Sequence, residues 1–276
     1  MNELRDGEQR RVGDKPVIAF VHGDFGNAES SFGKVVSEIG DEYRTLLLDR
    51  PGFEPGAEHP DRYTFVGDAV ALLDKLSGEG VAAFHLVGHS YGALVALAVA
   101  VRAPERIKSL HLIEPPLLGL LDNEDTGLMM HRVKELQAAH RDDDLDTTTT
   151  AFFEMIGASH VPERLRDTEE WEMLKAFAPR FARNEPPGEF PLEHWAALDP
   201  TIPVLVYSGG RSHPALQGVT RQLAFTPRVH RHTHIPGAGH AVQMAGEPFV
   251  LPFLQEVAAA EAVWAQRRPG APVPIN

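Results

Sequence analysis

The sequence predicts an α/β fold built on a mostly parallel, doubly wound sheet with an inserted helical segment. Three observations carry this. Short apolar runs alternate with helical stretches, which is the rhythm of βαβ crossovers. Each early run ends in a polar or glycine-containing loop. The rhythm then stops over residues 115–198 and resumes at Ile202.

The elements follow in order. Pro16 to Val21 is short, apolar and rich in β-branched residues, as a buried parallel strand requires. It runs into His22-Gly23-Asp24-Phe25-Gly26, and a helix is expected over about Ser30 to Ile39. Thr45 to Leu48 is a second strand, ending in Asp49-Arg50-Pro51-Gly52. Residues 63–77 place Phe65, Ala69, Leu72, Leu73 and Leu76 on one helical face. Ala83 to Gly88 reads as the third strand, Leu94 to Val101 as a buried apolar helix, and Ile107 to Ile113 as the fourth strand. Residues 115–198 hold charged helical stretches at 124–141, 147–157 and about 168–183, punctuated by proline. The alternation returns with a strand at 202–207, a helix at 214–224, a strand at 229–235 and a helix at 247–264. Core residues are therefore assigned to 1–114 and 199–264, a helical cap to 115–198 and a loose tail to 265–276, which carries three prolines between Arg267 and Asn276.

Composition narrows the function. With 276 residues, the chain suits one large domain or a core with an insertion. The formal net charge of −13 disfavours nucleic acid and anionic membranes as partners. The absence of cysteine removes disulfides, thiolate zinc sites, iron–sulfur clusters and thiol nucleophiles. The polar start, MNELRDGEQRRVGDK, lacks the apolar segment of a signal peptide. No stretch approaches the roughly 18 apolar residues of a membrane span. A cytoplasmic protein with a small-molecule substrate is expected, with a homodimer left open.

The chemical signal is Gly88-His89-Ser90-Tyr91-Gly92, a G-x-S-x-G pattern between an apolar strand and a small-residue helix. A nucleophile on such a turn is exposed at the positive end of a helix. The alternative is an ordinary glycine-rich βα turn. Taken with the His22-Gly23 loop, Asp49-Arg50-Pro51-Gly52 and Gly237-Ala238-Gly239-His240, in this order, the chain resembles the α/β-hydrolase superfamily over residues 16–264. The insertion falls at that family's cap position. One departure is at the front: the family usually has two strands before the His-Gly strand, and about 15 residues precede it here.

The resemblance implies an acyl-transfer site without metal or cofactor. Ser90 would be the nucleophile and His240 its base. The third member departs from the usual pattern. The loop from Ser208 to Pro214, where the family usually has its acid, contains no carboxylate. No Asp or Glu occurs from Pro200 through Gly246. Glu114 ends the neighbouring strand, and haloalkane dehalogenases and zearalenone-type lactonases look similar in taking their acid there. Glu114 is the expected acid. Asp49 competes, but is expected to brace its own loop through Arg50. By resemblance, the backbone N–H groups of Asp24 and Tyr91 form the oxyanion hole, with Phe25 the near alternative to Asp24. The Asp24 carboxylate would then have to turn outward or pair with a cation such as Arg50.

An ester or lactone with an apolar or ring-containing body is the expected substrate. Phe25, Met129, Phe153, Trp171 and Trp195 are candidate pocket residues, though such residues more often pack a cap onto its core. C–C bond hydrolysis, perhydrolysis and ligand binding without catalysis are the rivals. Epoxide hydrolases and haloalkane dehalogenases are disfavoured, because they look for Asp where Ser90 stands. His230, His232 and His234 share one strand face; a solvated sheet edge is expected there rather than a metal site. Asp142-Asp143-Asp144 is read as a solvated loop.

Overall fold

The computed structural model describes residues 15–54 and 57–267. Six strands form one parallel sheet: β1 (Val17–Val21), β2 (Arg44–Leu48), β3 (Phe84–His89), β4 (Ile107–Ile113), β5 (Val204–Gly209) and β6 (Val229–Ile235). Their order is β2-β1-β3-β4-β5-β6. Residues 1–14, on which the question of preceding strands turns, lie outside the described residues.

The two-residue strand period sorts the core into two layers. Ala19, Val21, Leu86, Leu110 and Leu112 face α2 (Phe65–Gly78), α3 (Tyr91–Arg102) and α10 (Pro214–Ala224). Ile18, Phe20, Val87, Ile113 and Tyr207 face α1 (Ala28–Ile39) and α11 (Glu247–Gln266). Strands buried on both faces do not alternate apolar with polar, which explains the apolar run of β1; β3 and β4 are buried throughout but carry His85, Ser109 and His111. The first ten residues of α3 are all buried. Each fully buried Val, Leu or Phe contributes about 1.5–3 kcal/mol relative to exposure, so α3 is a fixed post behind Ser90.

Between β4 and β5 the described residues form six helices: α4 (Glu124–Ala139), α5 (Leu145–Met155), α6 (His160–Leu165), α7 (Glu169–Lys175), α8 (Ala178–Ala182) and α9 (Leu192–Ala197). The single helix expected over 168–183 is two. Pro179 has no N–H to donate and its ring clashes with the preceding turn, so it sits at the start of α8 instead of inside a longer helix. The short helices α6 and α9 were not anticipated, because one or two turns give no readable period. Within the Asp142–Asp144 run, Asp144 caps α5 by accepting the Thr147 N–H at 3.1 Å. The expected tail begins too early: α11 continues through Gln266, with Arg267 as its C-cap. Residues 268–276 lie outside the described residues. Among the described residues, no helix is long and apolar enough to cross a membrane.

A polar chain is buried under α11. Glu261 meets His85, whose Nδ1 lies 2.7 Å from Ser109 Oγ; Ser109 Oγ meets His111 Nε2 at 2.8 Å, and His111 Nδ1 meets the Tyr207 hydroxyl at 2.9 Å. Burial lowers the pKa of His85 and His111. Burial and then Arg50 lower that of His22, and burial and then His240 bring His89 down to about 3. His22, His89 and His111, the most strongly lowered, stay neutral in the fold below pH 6.5, whereas an unfolded histidine protonates near that pH. The unfolded chain therefore binds more protons as pH falls below about 6.5. Each such histidine then removes up to about 1.4 kcal/mol of stability per pH unit. The urea midpoint is expected to drop steeply between pH 6.5 and 4.5. A midpoint unchanged over that range would contradict neutral burial.

Candidate active site

The carboxyl ends of β1, β3, β4, β5 and β6 bring five loops together. Gly88 and Gly92 permit the turn at Ser90. A Cβ on Gly88 would lie 2.6 Å from the Ala93 Cα, and one on Gly92 would collide with the carbonyl oxygens of Val21 and His22. Ser90 takes φ 53° and ψ −126°, a conformation that L residues rarely adopt. Phe25 at φ 52° and Glu114 at φ 48° are in the left-handed region too. Strained backbone is thus gathered where the loops converge.

The turn places Ser90 Oγ 2.9 Å from His240 Nε2. On the other side of the ring, Nδ1 lies 3.3 Å from Glu114 Oε2. Glu114 is fully buried. It accepts the Gly209 N–H at 2.8 Å on Oε1 and the Ser212 hydroxyl on Oε2. Both oxygens therefore have donors, as a buried carboxylate needs. The structure thus brings Ser90, His240 and Glu114 into one hydrogen-bonded line. Gly209 and Ser212 belong to the loop that lacks a carboxylate; it contributes donors to the acid instead.

Sequence reasoning passed over His89, since it precedes the motif serine and has no partner nearby in sequence. Its Nε2–H donates to the His240 carbonyl at 3.1 Å, tying the base loop to the turn. With a pKa near 3, it remains neutral beside the His240 ring.

Asp49 does not brace its loop through Arg50 as expected. Its carboxylate accepts the Ala28 N–H at 2.7 Å, at the start of α1. His22 does the bracing: Nδ1–H donates to the Gly23 carbonyl at 2.8 Å, and Nε2 accepts the Arg50 N–H at 3.1 Å. Arg50 does pair with Asp24, at 3.0 Å. Asn184 Nδ2 donates to the same Asp24 oxygen at 2.7 Å. Asp24, on the loop after β1, lines both cavities with Ser90, and Tyr91 directly follows Ser90 in the chain. The Tyr91 N–H lies in the first turn of α3, where helix geometry provides no i−4 acceptor.

Arg50 also reaches Asp68 at 2.9 Å, and Arg180 grips Asp68 at 2.7 and 3.0 Å. Burial, followed by Arg50, lowers the Arg180 pKa to about 10, which still leaves it charged at neutral pH. Two buried guanidiniums thus balance two buried carboxylates.

Two chambers open at Ser90 and His240. The outer one, of about 680 Å³, is walled in part by Phe25, Phe153, His160, Arg164 and Arg211. The inner one, of about 40 Å³, is lined by Tyr91, Leu118, Met129, Val133, Met155 and Leu216. Phe25, Phe153 and Met129 line these two chambers. Trp171 and Trp195 do not. Trp171 is enclosed among the insertion helices, its indole N–H donating to Asp146 at 2.7 Å. Trp195 packs with Phe190 and Leu198 on the α3 side of the core. A large ring hides better in a core than on a cavity wall. On the edge strand β6, His232 and His234 both meet Ser208 Oγ, at 2.7 and 3.0 Å, while His230 is exposed.

A parallel sheet with its loops converging on a serine turn after β3 is the architecture of α/β hydrolases. The sequence pattern described as "Alpha/beta hydrolase family" matches residues 18–250, and the chain belongs to that family. It is 31% identical over 118 residues to a dihydrolipoyllysine-residue acetyltransferase component of the acetoin cleaving system of Cupriavidus necator, covering 43% of this chain and 31% of that protein. It is 31% identical over 102 residues to the probable lysophospholipase BODYGUARD 4 of Arabidopsis thaliana, covering 36% of this chain and 24% of that protein. The matched stretch thus spans 24–31% of the length of these curated relatives. Among solved structures, MenH from S. aureus superposes with a TM-score of 0.70 at 16% identity, covering 89% of this chain and 94% of that one. At that identity the likeness shows the fold.

Breaking the buried ion cluster tests its place in the fold. Asp68→Ala leaves two buried guanidiniums undercompensated, and the expected cost is about 3–5 kcal/mol in urea unfolding. A loss below about 1 kcal/mol would show that the cluster is not held as a dry unit.

Proposed function

We propose that the protein is a cofactor-independent serine hydrolase that cleaves a carboxylic ester or lactone through an acyl-enzyme. The observation that carries this is the line Ser90–His240–Glu114, with 2.9 Å between hydroxyl and base and 3.3 Å between ring and carboxylate. A serine hydroxyl is a weak nucleophile at neutral pH and needs such a base.

His240 Nε2 takes the Ser90 proton as Oγ attacks the carbonyl carbon. The negative charge moves to the carbonyl oxygen, where the Tyr91 and Asp24 N–H groups receive it. Placement at the first turn of α3 adds the positive end of a helix dipole. The Asp24 carboxylate would oppose that charge if it were free; its pairing with Arg50 and Asn184 offsets this. Glu114 accepts the His240 Nδ1–H, fixes the ring and stabilises its cationic form without taking the proton. His240 then protonates the leaving oxygen and activates water against the acyl-enzyme. In this reading residues 115–198 act as a cap: their helices, with Phe25 and Phe53 of the sheet-edge loops, form one apolar cluster above the serine. A relative described as a probable lysophospholipase supports ester chemistry.

A fluorophosphonate probe is expected to label the protein, and Ser90→Ala to abolish both labelling and turnover. Glu114→Gln is expected to lower kcat by about 10⁴ on the best substrate of a panel of aryl esters, lactones and β-diketones. Near-full activity in Glu114→Gln would refute the acid assignment. A β-diketone turned over in preference to every ester would move the reaction to C–C cleavage.

A further inference from the structure

We propose that the outer chamber recognises a carboxylate on the substrate, remote from the reacting carbonyl, through Arg164 and Arg211. This rests on the serine-hydrolase reading and names its substrate class: an ester with an apolar body and a distal carboxylate.

The two chambers share Asp24, Ser90, Phe152, Ile156 and His240, so the scissile bond lies at their junction. A volume of about 40 Å³ in the inner chamber admits only a small apolar group. The larger part of the substrate must extend into the outer chamber. Two exposed arginines line it from different elements. Arg211 follows β5, and its backbone N–H is fixed to the Ala238 carbonyl at 2.9 Å. Arg164 comes from α6 of the insertion. Among the described residues, neither side chain makes a salt bridge or a hydrogen bond, in a chain with 39 acidic and 26 basic residues. Most arginines near acidic groups here are paired, as Arg62, Arg141 and Arg183 are.

Charge balance selects the anion. Asp24 on the cavity wall is compensated by Arg50, and Glu170 is the remaining carboxylate of the lining. Two arginines against one glutamate leave a single positive charge, which suits a carboxylate better than a doubly charged phosphate. A guanidinium fork also matches carboxylate geometry. Met173 and Met244, 40% and 44% exposed, line the same chamber from the insertion and from the loop after His240. They provide adaptable apolar contact for the body between the reacting carbonyl and the charge.

The test uses two matched pairs. One pair, 4-acetoxybenzoate and 4-acetoxybenzamide, carries the charge on the leaving group. The other, mono-4-nitrophenyl glutarate and 4-nitrophenyl glutaramate, carries it on the acyl group. At low salt, at least one carboxylate is expected to exceed its neutral isostere in kcat/KM by about tenfold. That ratio is expected to fall towards one in Arg164→Gln/Arg211→Gln, and part-way in each single variant. Arg211 adjoins Ser212, which holds Glu114. A disturbed acid would slow both members of a pair and leave their ratio unchanged. No preference in either pair, or a preference that survives the double substitution, overturns the proposal. If no ester is turned over and Ser90 is not labelled, the serine-hydrolase reading fails. Calorimetric binding of 4-hydroxybenzoate, expected in the parent chain and absent from the double variant, then decides the anion site by itself.

Discussion

One buried guanidinium ties the site together. Arg50 contacts the Gly23 carbonyl, the Asp24 and Asp68 carboxylates and the Asn184 side-chain oxygen, and lies 4.0 Å from the Tyr91 ring centre. Those partners belong to the loop after β1, α2, the helical insertion and the residue after Ser90. An unpaired buried charge is expensive, so each partner is required where it stands. The same pairing that keeps Arg50 inside the protein neutralises Asp24 beside the place where negative charge would develop.

The cluster also couples the insertion to the sheet. Arg180 donates to the Pro51 carbonyl at 2.7 Å and to Asp68, and Tyr63 and Asn184 form an isolated parallel bridge. Apolar packing alone, as between Phe25 and Phe152 at 4.3 Å, is non-directional and would allow the insertion helices to slide. Directed hydrogen bonds to a buried carboxylate restrict that motion. The walls of the outer chamber are fixed on the sheet side by the Gly209–Ser212 loop and on the other by helices anchored through α8.

Much of the fold was legible because its signals are local. Strands buried on both faces read as apolar runs, and β6 and α10 begin and end where the sequence places them. Ser90 and His240 were readable as candidates through motifs; the lack of any acid from Pro200 to Gly246 left the third place open, and Glu114 came from the resemblance to hydrolases that take their acid at the end of that strand. The rest depends on contacts without local signature. Arg180 meets Asp68 across 112 positions, and Asn184 meets Asp24 across 160. Asp49 was placed with Arg50 because they are adjacent, yet adjacent residues in an extended loop point apart. Trp171 and Trp195 were assigned to the cavity on composition, which does not say which side of a helix meets the void.

Among the fourteen histidines, the fold separates rings held by internal partners from the one placed beside Ser90. In His22, His85 and His111, both ring nitrogens are spent on internal partners, and burial lowers their pKa. No nitrogen of theirs is available to an incoming group. His89 donates to a backbone carbonyl and sits with its pKa near 3, so it takes no proton at neutral pH. His85 also lies between a carboxylate, Glu261, and a hydroxyl, Ser109, but Ser109 is fully buried; the hydroxyl beside His240 is reachable. One nitrogen of His240 faces a carboxylate that can stabilise a positive ring, and the other faces a hydroxyl on the wall of both chambers. Proton transfer needs both features: a nitrogen in contact with the reacting group and a counter-charge for the cation that forms. Among these rings, the histidine at the loop after β6 meets them because it is held at the carboxyl edge of the sheet, between an acid at the end of β4 and a strained serine at the end of β3.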